Sequence, residues 1–150
     1  MNQWETHRDQ VESLLKEAVV VRLALCDGDL PYIVPVNFGF DRDKLYFHSG
    51  NKGSKVAIIE KNPRIAFELD ADVAVVRKEE ACKWSMKYRS IVGTGTAKLI
   101  KDEAAKKKGL DILMVHHAPG ETFSYSDGMM SAVNVYEIEV ESLRYRESEG

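Results

Sequence analysis

Val19-Val20-Val21-Arg22-Leu23-Ala24-Leu25-Cys26, Asp27-Gly28-Asp29, Tyr32-Ile33-Val34-Pro35-Val36-Asn37-Phe38-Gly39-Phe40, Asp41-Arg42-Asp43 and Leu45-Tyr46-Phe47-His48 succeed one another with no helical pattern among them. The first segment is β-branched and apolar, which reads as a strand. Asp-Gly at its end is a tight hairpin signal. The segment 32–40 returns as a second strand. Its Pro35 cannot donate to a ladder, so it marks an edge, a bulge, or a place where something other than a strand meets the backbone. A turn at Asp41-Arg42-Asp43 leads into a third strand. A meander of three strands before any substantial helix argues against a Rossmann fold.

Working outward, Thr6 or Asp9 is placed to cap a short helix whose Val11, Leu14, Leu15 and Ala18 recur at helical spacing. Residues 54–61 predict another short helix, stopped by Asn62-Pro63. Residues 64–70 alternate with period two and return to the sheet, with 72–76 as a continuation and a polar loop at 77–81. Residues 88–100 form a long strand in which Gly93 and Gly95 mark a bulge, a bend or the close approach of another group. A second full helix is expected over 102–117. The last strand covers 132–143, where the apolar phase slips between Val135 and Tyr136 as a bulge would make it. The sum is a mainly β fold, a six-stranded antiparallel barrel with short peripheral helices, in a single domain over 1–150.

Composition sets the outer bounds. Of 150 residues, 44% are hydrophobic and 30% charged, which excludes disordered and collagen-like classes. Lys and Arg number 21 against 24 Asp and Glu, so no global basic field exists for nucleic acid. Two cysteines are too few for a disulfide framework, and neither has a partner at zinc-ligand spacing. Cys26 is expected in the core, and Cys82 beside Lys83 and Trp84 has a structural role. No leader-like segment or membrane-length apolar run is present, so a cytoplasmic location away from membranes is expected.

The stretch richest in chemistry is His48-Ser49-Gly50-Asn51-Lys52-Gly53-Ser54-Lys55, between a strand end and a helix start. A helix N-terminus offers unpaired N–H groups and a positive dipole end. Two glycines permit close backbone approach, and Ser49 and Ser54 add hydroxyls. Two lysines there are mildly unfavourable unless an anion such as phosphate sits between them. The competing reading makes Lys52 and Lys55 solvated charges and Ser54 a plain N-cap. A Walker motif is absent, because the Gly-x4-Gly-Lys-Ser/Thr order does not occur. His48 is either a strand-end donor to a ligand or structural. His116-His117 point to different faces and make a poor metal pair, so favourable placement at a helix C-terminus is the simpler account. Trp84-Ser85-Met86-Lys87-Tyr88-Arg89-Ser90 suits an aromatic ligand with polar edges, or else packs in a core or dimer interface. No hydrolytic triad can be assembled.

Four segments taken together, Tyr32-Ile33-Val34-Pro35-Val36-Asn37-Phe38, Leu45 through Lys55, Asn62-Pro63-Arg64-Ile65-Ala66-Phe67 and Tyr88-Arg89-Ser90-Ile91-Val92-Gly93-Thr94-Gly95, resemble the pyridoxamine 5'-phosphate oxidase-like flavoproteins, most closely their nitroimidazole-resistance (Nim) branch. The resemblance implies a split barrel of the FMN-binding type, a homodimer with FMN at the subunit interface, and small-molecule electron donors and acceptors. It places Pro35, Val36, Asn37 and Phe38 along the flavin ring, with backbone groups around Val36 and Asn37 bonding it. His48 and Ser49 fall beside the cofactor, and Lys55 becomes the principal phosphate-binding cation within the loop that includes Lys52, Gly53 and Ser54. Ser90, with Tyr88 nearby, reaches the flavin from a later strand. His48 is the candidate catalytic residue, as a substrate-orienting or proton-transferring group, and no metal is implied.

Two departures bear on activity. Ser54 stands where the oxidase proper has a phosphate-binding Arg, and Gly50 replaces an Ala of the Nim-like loop. The oxidase's C-terminal Trp and Arg contacts lack counterparts in 132–150, which argues against oxidation of pyridoxamine phosphate itself. The implied function is therefore an FMN-dependent oxidoreductase acting on a small acceptor, nitroreductase-like. The alternatives are a non-catalytic flavin-binding or sensing module, and a relative that binds heme or a deazaflavin.

Overall fold

A computed structural model describes residues 2–150. Helix α1 (Arg8–Glu17) precedes strands β1 (Val20–Asp27), β2 (Leu30–Asn37), β3 (Gly39–Asp41) and β4 (Lys44–Gly50). Helix α2 (Ser54–Lys61), strand β5 (Arg64–Val76), a 3-10 turn (Ala81–Lys83) and strand β6 (Ser85–Leu99) follow. Helices α3 (Glu103–His117) and α4 (Asp127–Ala132) then lead into β7 (Val133–Glu149).

All seven strands form one antiparallel sheet in the order β2-β1-β5-β6-β7-β4-β3. The two edge strands, β2 and β3, are consecutive in sequence and separated by Phe38 alone. A sheet whose opposite edges are joined by one residue must curl until those edges meet, which makes this a split barrel. The count is seven strands rather than six because the run 32–40 breaks at Phe38, where the chain passes from one edge of the sheet to the other. Phe38 is fully buried there, with its ring in the barrel core.

The core joins alternate residues of the strands: Val21, Leu23 and Leu25 of β1, Phe67 and Leu69 of β5, Ile91 of β6, Ile138 and Val140 of β7. Helix α1 closes one opening with the expected face, since Val11, Leu14, Leu15 and Ala18 are all buried. Its start differs from expectation. His7 occupies the cap position with no side-chain bond, and the Thr6 hydroxyl donates instead to the Gln3 carbonyl at 3.3 Å. Cys26 is exposed, because the alternation that buries Leu23 and Leu25 turns position 26 outward.

A second apolar cluster lies outside the barrel wall, where Leu110 and Leu113 of α3 and Met130 of α4 cover Tyr46 and Val135. Strands β4 and β7 are thus covered on both faces, which is why consecutive Leu45, Tyr46 and Phe47, and consecutive Val135 and Tyr136, are all buried. The apolar slip at Val135 and Tyr136 therefore is not a bulge. The bulge lies further along, where the register shifts between Thr94 and Gly95 and leaves Glu141 extra on β7. Gly93 is a point of close approach: a Cβ there would stand 2.4 Å from the Phe67 ring and 2.5 Å from the Ser142 carbonyl. Among the described residues, no helix is long and apolar enough to cross a membrane.

Candidate functional site

The loop between β4 and α2 begins from a fixed rail. His48, Ser49 and Gly50 pair with Val135, Asn134 and Val133 of β7, so the end of β4 is held in register up to its last residue. Beyond it, the Asn51 side-chain amide donates to the Ser131 carbonyl at 3.3 Å, tying the loop to α4. Helix α4 is absent from the sequence reading. Its six residues are too few to show periodicity, and its one local mark is Ser126, whose hydroxyl accepts from the Met129 N–H at 3.2 Å.

Helix α2 starts without a side-chain cap. Its N-cap residue is Gly53 at φ 122, a conformation open to glycine and strained for other residues, and Ser54 lies inside the helix instead of capping it. The first-turn N–H groups thus have no side-chain acceptor supplied by the cap. The Ser49 hydroxyl donates to the Gly50 carbonyl at 2.8 Å. Lys52 is exposed and Lys55 half-buried, and neither forms an ion pair among the described residues.

His48 faces Lys55 closely enough for their charges to interact. The His48 side chain is exposed at the strand end, yet surrounding protein partly strips water from the imidazole and the Lys55 ammonium repels a second positive charge, and both lower the His48 pKa below the ordinary histidine value. His48 is therefore neutral near pH 7, able to donate through one ring nitrogen and accept through the other. The stability consequence has a definite sign. The unfolded chain takes up this proton more readily than the folded one, so stability present above about pH 6.5 is lost as pH falls through the folded pKa. His48→Gln is expected to reduce the fall in urea midpoint between neutral and mildly acidic pH. An unchanged slope would show that His48 is not desolvated.

Sequence reasoning missed His117. Its pKa is also lowered, first by burial and then by the neighbouring charges of His116 and His48, against a bond to the Phe38 backbone. Burial and histidine neighbours thus outweigh the helix-dipole benefit expected for this position. His116 braces the same region: its Nε2 lies 2.7 Å from the Ala18 carbonyl, and its ring is 4.7 Å from Phe38 and 5.0 Å from His117. Helix α3 carries both histidines to the β2–β3 crossing, a juxtaposition across about 80 residues of chain that no local pattern signals. Among the described residues, no group of three or more His, Cys, Asp or Glu is arranged to hold a metal ion.

Strand β2 supplies a free edge, since it pairs with β1 alone. Pro35 sits opposite Arg22 there, where its missing N–H breaks no inner ladder. Ile33, Pro35 and Asn37 are exposed, whereas the Val36 and Phe38 side chains are buried in the core and can offer only backbone groups to a ligand. Tyr88 and Ser90 are not brought to this place. His48 stands opposite Val135 and Ser90 opposite Arg146 of the same strand, roughly 35 Å apart along β7 at about 3.3 Å per residue. Trp84 is exposed rather than in the core, its indole N–H donating to the Lys78 carbonyl at 2.7 Å under the Arg77 guanidinium. A cavity of about 600 Å3 between α1, β3 and α3 touches none of the candidate residues. The site is a surface cradle along β2, β4 and α2.

Known proteins of similar sequence and shape agree with this architecture. A crystallised candidate 5-nitroimidazole antibiotic resistance protein from Bacteroides thetaiotaomicron VPI-5482 is 30% identical, with a TM-score of 0.82 over 92% of this chain and 82% of that one. An FAD- and heme-binding protein from Mycobacterium smegmatis shares the fold at a TM-score of 0.87 and 24% identity, over 95% of this chain and 72% of that one. An uncharacterized protein of Rhizobium meliloti (strain 1021) is 26% identical over 87 residues, 58% of this chain and 56% of that relative's length. The model of the pyridoxamine 5'-phosphate oxidase family matches residues 7–147, and the chain belongs to that family.

Proposed function

We propose that this protein binds FMN between two copies of itself and uses it to reduce a small electron acceptor. The observation that carries this reading is the start of α2, where an uncapped helix N-terminus, Gly53 and Lys55 converge beside His48. First-turn N–H groups and an ammonium are the donor set for a terminal phosphate. The free edge of β2 offers backbone groups near Val36 and Asn37 to the polar edge of the ring. When bound, a flavin supplies the reversible uptake of hydride or electrons.

The chain's own residues hold, orient and titrate. Lys55 and the α2 N–H groups would fix the phosphate, with Lys52 and Ser54 at the rim. His117 bonds the Phe38 backbone where the chain passes from β2 to β3, within electrostatic reach of His48. His48, neutral at pH 7, would orient the acceptor or carry a proton on one ring nitrogen. Tyr88 and Ser90 lie too far along the barrel to meet the same ligand in one chain, so their part in the site requires a second copy. Exposed Ile33, Val92, Val73, Val75 and Met86 supply apolar surface for such an interface.

The test is FMN titration of stripped protein, followed by reduction with NADH or NADPH and reoxidation by a nitroaromatic acceptor. His48→Ala is expected to retain FMN and lose most turnover, and unchanged turnover would remove its role. Stoichiometric FMN with no reduction by either donor would favour a flavin-storing or flavin-sensing module. A Soret band in place of a flavin spectrum would favour heme.

A further inference from the structure

The strand registers set the outward side chains of β2, β1, β5 and β6 in rows. Leu23 of β1, Phe67 of β5 and Ile91 of β6 point into the core, so their neighbours along each strand point out. One row runs Ile33, Ala24, Ala66, Thr94, and the next runs Pro35, Arg22, Glu68, Val92. One step further along, Asn37 pairs with Val20 and Asp70 with Ser90. The face is open to solvent, with Ile33 69% and Val92 51% exposed.

In the flavin site proposed above, on which this contact rests, Asn37 of one copy and Ser90 of another meet one ring. A two-fold axis parallel to the strands and between β1 and β5 achieves this, because it lays β2 over the partner's β6 and β1 over the partner's β5. The remaining pairs then follow without further choice. Arg22 faces the partner's Glu68, and Glu68 faces the partner's Arg22. Pro35 meets the partner's Val92, apolar against apolar. Ile33 stands over the partner's Thr94, beside a cavity of about 300 Å3 between β6 and β7 that Val92 and Thr94 help to line. Ala24 and Ala66 lie next to the axis, where small side chains let the two sheets approach.

Charge favours the same register. Among the described residues, Arg22 is the one ion-pair partner of Glu68 and Asp70, at 3.1 and 3.5 Å. Burial and the adjacent Asp70 raise the Glu68 pKa against the pull of that single guanidinium. A second Arg22 brings another guanidinium to each carboxylate pair. Arg144 opposite Val92 and Arg146 opposite Ser90 extend the rows on β7, so three arginines stand against two carboxylates and the face carries little net charge. We propose that this face is the contact between two copies of the chain, with the two-fold axis between β1 and β5 and Arg22 of each copy set against the partner's Glu68.

Sedimentation of the full chain with and without FMN tests this. Arg22→Glu and Glu68→Arg each set like charges across the axis, and each should weaken self-association about 100-fold or more. Mixed in equal amounts, the two variants should form a heterodimer, because each then meets opposite charge on the other, and this arm also shows that both are folded. Val92→Arg, at an exposed position, should weaken the dimer by placing a guanidinium over the partner's Pro35. A wild-type dimer unaffected by all three substitutions, or two dissociated variants that ignore each other, would overturn this register; FMN bound by that dimer would leave the flavin reading standing. A dimer that shows the mixing behaviour but takes up no FMN would support the contact and remove the flavin. A wild-type monomer that binds FMN would overturn both.

Discussion

Lys55→Ala is expected to weaken FMN binding roughly 10- to 100-fold, because it deletes a charge-assisted contact worth about 1.5 to 3 kcal/mol. Position sets this magnitude. Lys55 is half-buried in the first turn of α2, whose start lacks a side-chain cap, so ammonium and N–H groups would act on one phosphate. Lys52, exposed in the preceding loop, should matter by no more than a few fold when replaced by alanine. Riboflavin, which has no phosphate, should bind the wild type and Lys55→Ala alike. The same variant removes the repulsion felt by His48, whose imidazole should titrate at higher pH by NMR. Equal FMN dissociation constants for the two proteins would place the phosphate elsewhere.

Phe38→Ala is expected to cost about 3 to 5 kcal/mol of stability, the range for truncating a buried Phe. This is a large share of the roughly 5 to 15 kcal/mol that holds a typical domain together. Phe38 fills the core at the one residue joining the two sheet edges, and its ring supports His116. Removing it leaves a cavity at the closure of the barrel and loosens the contact between the end of α3 and β2. Urea unfolding should show a lower midpoint with a similar m-value. Phe38→Leu, smaller in volume change, should fold more stably than Phe38→Ala while still weakening FMN binding through the displaced His116 and His117. A loss under about 1 kcal/mol for Phe38→Ala would mean that the closure does not depend on this side chain.

What the sequence revealed was local. The meander was legible because Asp-Gly and Asp-Arg-Asp interrupt β-branched runs, and α2 because Asn62-Pro63 ends a short apolar stripe. The outer layer was not, since it depends on what covers β4 and β7 from outside. Without α3 and α4 in view, consecutive buried Val135 and Tyr136 look like a slipped register, when each in fact faces a different apolar cluster. The break at Phe38 was hidden for a related reason: a residue that changes sheet edge has the same composition as one that continues a strand.

The candidate site divides along the same line. Residues 48–55 are contiguous, and strand end, glycine and helix start are all readable in order. His117 reaches His48 through the length of α3, and Tyr88 and Ser90 lie at the other end of β6. Their grouping in one site came from family resemblance, and one chain alone does not assemble it.

In the proposed complex, a flavin is held by the α2 cradle of one copy and the β6 strand of another. The most direct test of this arrangement is FMN titration of stripped protein with the mass in solution measured at each step. One FMN per chain in a dimer, with Tyr88→Ala and Ser90→Ala weakening binding as well as Lys55→Ala, is the predicted result. A monomer that binds FMN stoichiometrically and ignores both β6 substitutions would contradict it.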